Sequence, residues 1–231
     1  MFALTHIQTG YLPNKLHGMM QLVVDRLWLF TAMSGIFHIA QVCFTEKRWR
    51  VAHYVAFLRA VNVGGRNVKS VQLVTAFESC GLQRVTTFLA SGNVLFSSGT
   101  VLPGNLRQDL EAAIEQSSGF KSEVFIVSAN QLADMLEGYP YNNYLDSLPT
   151  HCIGFCDFMS PEQKADLAAF ATETDLFTAD AGVVYWASAN RQSEPAFTLK
   201  QLEKVIGKRI TFRGLNTISR LCLKLSAMLA D

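Results

Sequence analysis

Along this chain the apolar residues switch between strand and helix spacing in the same order twice, and that doubled order restricts the fold more than any single motif. Alternation predicts a strand over His53 to Ala60. A 3.6-residue period through Val71, Val74 and Phe77 predicts a helix over Val68 to Cys80, which Gly81 stops. Strands over Arg84 to Leu89 and Val94 to Ser97 flank the turn Ala90-Ser91-Gly92-Asn93. A helix over Leu106 to Gln116, a strand over Ser122 to Val127 and a short helix over Gln131 to Leu136 complete the first set.

The second set begins with a strand over His151 to Phe158. Ser160-Pro161-Glu162-Gln163 then places a capping serine before a proline at the first helical position, which starts a helix running to Phe170. Strands over Leu176 to Thr178 and Val183 to Ala187 flank Asp180-Ala181-Gly182. A helix over Thr198 to Val205, a strand over Arg209 to Phe212 and a helix over Thr217 to Leu229 follow. Both sets read βαββαβ plus a helix, so the expected fold class is α+β, with two ferredoxin-like units in tandem. The expected boundaries are 51–138 and 151–231, joined at 139–150. That turn-rich joint carries Tyr139, Tyr141 and Tyr144, which have an alternative reading as a binding edge.

Residues 1–50 do not share this pattern and read as a non-core extension, with Val51 as an alternative translation start. Within it Leu27 to Phe44 has no Asp, Glu, Lys or Arg and approaches the length needed to span a bilayer, although Ser34, His38 and Gln41 weaken that reading. Lys47-Arg48-Trp49-Arg50 and the lack of a small-residue cleavage pattern argue against a secretory signal. The chain has 20 basic and 19 acidic residues. The extension holds five of the former and two of the latter, so residues 51–231 carry 15 against 17, a net −2. Phosphate neutralisation dominates nucleic-acid affinity, and no run of five or six like charges is present, so a sequence-independent polyanion binder is disfavoured. Phe57, Phe88, Phe96 and Phe125 lie on predicted strands, and the first of these looks apolar on both faces, which favours core packing over base stacking.

Cys43, Cys80, Cys152, Cys156 and Cys222 are odd in number and scattered, as in reduced cytoplasmic thiols. Cys152 and Cys156 on one strand would stand about 13 Å apart, too far to share a zinc ion, so no metal site is expected. The expected location is cytoplasmic, and no cofactor is expected.

The chemistry-bearing stretch is HYVAFLRAVNVGGRN, where the first strand ends in Arg59, Asn62, Gly64, Gly65, Arg66 and Asn67 before a helix. Ser91, Gly92 and Asn93 break a second apolar run about twenty-five residues on. Glycines permit close backbone approach, a helix start offers unpaired N–H groups, and arginines add charge-assisted donors, so the two turns together form a plausible anion cradle. The competing reading is that the glycines turn the chain and the asparagines satisfy turn backbone. Neither a P-loop nor a dinucleotide fingerprint is present. His53 and His151 start strands and read as surface or edge residues, and Ser91 lacks the context of a nucleophile elbow.

YVAFLRAVNVGGRNVK followed by LVTAFESCGLQRVTTFLASGNVLF resembles the opening of a bacterial family known as domain of unknown function 1697. The resemblance runs from about Ala52 to the C-terminus and is strongest in the first half. It implies an α+β fold with ferredoxin-like units and brings no established activity or cofactor. Relatives tend to carry an Arg-Asn-Trp-Asn-Thr-like stretch before the last helix. Here Arg213, Asn216 and Thr217 match it, while Gly214 and Leu215 stand where asparagine and tryptophan are expected.

The expected function is therefore a binding protein for a small anionic ligand, a phosphate or a carboxylate. The expected site is Arg59, Asn62, Gly64, Gly65, Arg66, Asn67, Ser91, Gly92 and Asn93, with Arg213, Asn216 and Thr217 as secondary candidates. An enzyme of unreadable reaction class, or a nucleic-acid or protein interaction module, is the alternative. A membrane is a partner only if residues 27–44 anchor the chain, and no particular protein partner is indicated.

Overall fold

A computed structural model describes residues 52–61, 67–89, 92–98 and 102–228. The extension with its candidate span Leu27 to Phe44, the site candidates Asn62, Gly64, Gly65, Arg66 and Ser91, and Val51 lie outside the described residues. The elements run β1 (Ala52–Leu58), α1 (Ser70–Ser79), β2 (Gln83–Thr87), β3 (Asn93–Ser98), α2 (Leu106–Ser118), β4 (Val124–Ser128) and α3 (Ala129–Glu137). After a single 3-10 turn at Asn142–Tyr144 come β5 (Thr150–Cys156), α4 (Pro161–Phe170), β6 (Asp175–Asp180), β7 (Val183–Ser188), α5 (Leu199–Ile206), β8 (Ile210–Gly214) and α6 (Leu215–Met228). Among the described residues this is a mixed α+β fold with two four-stranded antiparallel sheets and six α-helices.

The first sheet has the order β2-β3-β1-β4 and the second β6-β7-β5-β8, the same topology twice. Each sheet is covered on its outer face by two of its own helices. Leu73, Ala76 and Phe77 of α1 and Leu106, Leu110 and Ile114 of α2 pack on Ala56, Leu58, Val94 and Phe96. Leu167 of α4 and Leu202 and Ile206 of α5 pack on Cys152, Val184, Trp186 and Ile210. The inner faces meet in a central core, where Val55 and Phe57 join Ile153 and Phe155, closed by α3 and α6. The Phe57 and Phe155 rings stack with centroids 3.9 Å apart. Both central strands are thus buried on two faces, which explains why β1 shows no polar alternation.

Capping chemistry legible in the sequence recurs at three helix starts. Ser160, Ser128 and Thr198 each accept a backbone N–H from a glutamine three residues on, and that glutamine's side chain accepts the cap residue's own N–H. One expectation fails at α1: Val71 is 74% exposed, and the buried face is Leu73, Ala76 and Phe77. Those three share the i, i+3, i+4 stripe with more apolar surface to bury than Val71 and Val74, so the helix turns that side inward. The joint is also more than a linker. Tyr139 is buried in the central core with its hydroxyl on His151 Nδ1 (3.0 Å) and the Trp186 carbonyl (3.2 Å), and the Tyr141 hydroxyl lies 2.7 Å from Thr178 Oγ1. Only Tyr144 of the three stands largely exposed.

Candidate functional site

Because Phe57 pairs with Asn93, the segment leaving β1 and the turn entering β3 start side by side at one end of the first sheet. The Leu58 N–H donates to the Gly92 carbonyl at 2.8 Å. Gly92 has φ +68°, and a Cβ there would lie 3.1 Å from Leu58 Cβ and 3.2 Å from Val61 Cβ, so both conformation and space demand glycine. Ala60 and Leu89 in the same corner adopt φ +58° and +56°. For residues with a Cβ this left-handed conformation costs roughly 1–2 kcal/mol each, and such strain gathers at functional corners.

Two arginines extend from this corner to the second sheet. Arg59 follows β1, and its Nε and Nη2 donate to the two carboxylate oxygens of Glu203 on α5 at 2.8 and 3.0 Å, while Nη1 donates to Glu123 at 3.2 Å. Glu203 is only 7% exposed and also accepts from Arg209 Nη1 and the Ile210 N–H, both at 3.1 Å. Arg213 on β8 is equally buried. Its Nε donates to Asn93 Oδ1, Nη2 to the carbonyls of Leu58 (2.9 Å) and Gly92 (3.2 Å), and Nη1 to Thr211 Oγ1 (2.8 Å) and the Phe212 carbonyl (2.9 Å). Asn93 Nδ2 donates to the Phe88 carbonyl at 3.0 Å. Arg59, Asn93 and Arg213 are therefore frame elements that lock the second sheet onto the strand ends of the first, rather than the open donors expected of them. Burial brings the Arg213 guanidinium down to about 10, so it remains charged at neutral pH.

A cleft of about 930 Å³ opens between the sheets at this corner, with Leu58 to Val61 and Leu89 on one side and Trp186, Phe197, Leu199, Phe212 and Arg213 on the other. Gly154 makes room for one wall: a Cβ there would come within 2.6 Å of the Phe212 ring. Leu89 and Leu199 stand at its rim, 45% and 37% exposed. A smaller recess of about 330 Å³ lies where Val68, Lys69 and Ser70 at the start of α1 meet Leu89, Gly92 and Asn93. The described residues flanking the two predicted turns thus border shared space, with Asn67 exposed just before α1. Asn216 and Thr217 open α6 and line neither cavity, while Leu215 is buried in the central core.

The same architecture recurs at the opposite corner with different side chains. Glu111 on α2 accepts the Val124 N–H (2.9 Å), as Glu203 accepts that of Ile210, so both helix glutamates cap the last strand of their sheet. There the cross-sheet arginine is Arg107, which donates to Glu111 at 3.0 Å and to Asp157 at the end of β5. Sequence reading missed Glu123, Glu203 and the aromatic wall.

Candidates for nucleophilic or acid–base work are poorly placed. His53 is 2% exposed with Ser97 Oγ 2.7 Å from its Nδ1, and its buried Nε2 has no hydrogen-bond partner among the described residues. His151 is half-buried between Tyr139 and the Leu148 carbonyl. Both are interior groups, contrary to the surface reading, because each sits on an inward-facing position of a central strand. The Cys152 and Cys156 thiols are pushed by burial up to about 12 and stay protonated. Burial lowers the pKa of both histidines, with Arg84 adding to the effect at His53. The unfolded chain then binds more protons than the folded one as pH falls through the ordinary histidine value of about 6.5. Stability is accordingly full above that value and declines below it, by at most about 1.4 kcal/mol per pH unit for each histidine. Urea midpoints should fall between pH 7.5 and 5.5, and His53→Phe should flatten part of the slope. A midpoint independent of pH over that window would contradict this.

A family model described as "Protein of unknown function (DUF1697)" matches residues 51–185. The chain belongs to this family. The matched DUF1697 region begins at β1 and takes in both turns, Arg59 and Asn93; Glu203, Arg209 and Arg213 lie beyond it. No curated protein matches the chain. A solved structure of a conserved bacterial protein from Streptococcus pneumoniae is similar with a TM-score of 0.61 and 18% identity, over 76% of this chain and 99% of that one. At that identity the likeness concerns the fold. Among the described residues, no helix is long and apolar enough to cross a membrane.

Proposed function

We propose that this DUF1697 chain is a cytoplasmic binding protein for a small anionic ligand, held in the cleft between two ferredoxin-like units joined at 139–150. The identical strand order of both sheets supports the ferredoxin-like reading. One observation carries the anionic preference: Arg213, a buried cation on the cleft wall, bonds only neutral acceptors among the described residues. Beside it, Arg59 and Arg209 are matched by Glu123 and Glu203, which leaves the charge of Arg213 without a carboxylate at this corner. In a low-dielectric cleft such a charge attracts an anion without any guanidinium leaving its internal partners. The cleft's size and its apolar walls are those of a small-molecule site. The turn residues Asn62, Gly64, Gly65, Arg66, Asn67 and Ser91 are proposed to supply direct contacts, and no catalytic group is assigned.

Leu199→Glu tests this with little folding cost, because a carboxylate at the first position of α5 suits the helix dipole while repelling an anion in the cleft. Carboxylates, phosphates and nucleotides are to be screened against the full chain by thermal shift. At least one should raise the melting temperature saturably, and the shift should vanish in Leu199→Glu but persist in Leu199→Lys. A shift that survives Leu199→Glu, or a screen with no shift at all, would overturn the proposal.

A further inference from the structure

Next to the cleft, on the outer side of α5, a recess of about 460 Å³ is lined by Lys200, Glu203, Lys204, Lys208 and Arg209. Its only acid, Glu203, is committed to Arg59, Arg209 and the Ile210 N–H. None of the three lysines has a carboxylate partner among the described residues. Four cations on ten consecutive residues stand out against a body of net −2.

Helix electrostatics accounts for part of this set. Lys204 lies in the last turn of α5 and Lys208 just past its end, where the helix C-terminus favours cations. Lys200 lies in the first turn, where the dipole disfavours one. The architecture does not demand the set either. Glu111 and Glu203 occupy equivalent places, as do Glu123 and Arg209 just before the final strands. Counting from these anchors, Lys200, Lys204 and Lys208 correspond to Gln108, Ala112 and Ser122 in the first half, none of them charged. Ammonium groups on flexible stems suit the several oxygens of a phosphate chain, whereas a planar carboxylate is better matched by arginine.

Recess and cleft adjoin at α5, on either side of the Arg59–Glu203–Arg209 pairing. Leu199 lines the cleft and Lys200 the recess, and Arg59 in the cleft shares Glu203 with Arg209 in the recess. Lys200 stands about 100° around the helix from Leu199, and Lys204 about one turn beyond Lys200, so a ligand leaving the cleft past Lys200 meets Lys204 next. Resting on the cleft as an anion site, we infer that its ligand is a phosphorylated aromatic compound of the nucleoside polyphosphate class. Its ring lies against Phe197 and Phe212, and its phosphates lie on Lys200, Lys204 and Lys208.

Calorimetric titration of the full chain with ATP, adenosine and inorganic tripolyphosphate tests this. ATP should bind at least tenfold tighter than either fragment and weaken with added salt. The triple variant Lys200→Ala, Lys204→Ala, Lys208→Ala should lose at least tenfold in ATP affinity and none for adenosine. Equal affinity for ATP and adenosine, or an unchanged triple variant, overturns the inference. Tripolyphosphate binding as tightly as ATP would make the recess a separate site and overturn it too. So would a single-stranded oligonucleotide that outcompetes ATP, in favour of a nucleic-acid surface. If ATP fails while a carboxylate still shifts the melting temperature in a manner sensitive to Leu199→Glu, this inference alone fails; if every anion fails, the cleft reading falls with it.

Discussion

Arg213→Met should lower the stability of the protein by about 2–4 kcal/mol, with a fall in melting temperature of roughly 6–12 °C for a chain of this size. Two effects oppose each other. Methionine relieves the burial of a charge, which is favourable, but it strips a donor from the Leu58, Gly92 and Phe212 carbonyls, Thr211 Oγ1 and Asn93 Oδ1. Several acceptors left dry in one corner outweigh the relief of one cation whose desolvation was already offset by five bonds. Arg213→Lys should recover less than half of the loss, because a single ammonium cannot span acceptors on β1, β3 and β8 together. The denaturation midpoint should move with its slope unchanged, as expected when stability alone is altered. A variant within 0.5 kcal/mol of wild type, taking about that as the size of an ordinary surface effect, would show that this guanidinium does not hold the sheets together.

Glu203→Gln should cost about 3–5 kcal/mol, the range for breaking one side of a buried ion pair. The side chain stays the same size, so packing is not the cause. Arg59 would keep Glu123 at 3.2 Å and one neutral amide oxygen, while the new amide N–H₂ would face a guanidinium N–H that has no acceptor to offer it. Glu111→Gln is the matched control, because it occupies the equivalent place with a side chain 31% exposed against 5% for Glu203. It should cost no more than about 1 kcal/mol. The double replacement Arg59→Met with Glu203→Leu should be more stable than Glu203→Gln alone, since the charges left behind, Arg209 and Glu123, are 61% and 34% exposed. Equal losses at Glu111 and Glu203 would mean that burial does not set the strength of these pairs. A further consequence concerns ligand work: Arg59→Ala disturbs folding as well as charge, so Leu199→Glu is the cleaner probe of the cleft.

The architecture was largely legible because it rests on local chemistry. Apolar spacing located the strands and helices to within a few residues, and Ser160-Pro161 with Gln163 announced the start of α4. The end of β1 and the start of β3, from which the two glycine-containing turns run, are adjacent because these strands pair through Phe57 and Asn93. What stayed hidden was the use made of each polar group. Arg59 and Arg213 looked available because their partners Glu203 and Asn93 lie 144 and 120 residues away in sequence, in the other half of the chain. One signal was present and unused: Leu199, Leu202, Glu203 and Ile206 share one helical stripe, so Glu203 stands at a position where an apolar residue is the rule. A carboxylate on such a stripe implies a buried cation opposite it.

The stacking of Phe57 on Phe155, with Val55 and Ile153 beside them, has a consequence for the integrity of the chain. Each half contributes charges whose counter-ions belong to its sibling, and each keeps one whole side of its sheet greasy for that sibling alone. Severing the backbone between α3 and β5 and separating the pieces would not yield two miniature copies of the protein. It would yield two adhesive remnants, each carrying stranded ions, so the duplicated halves endure only as an obligate pair.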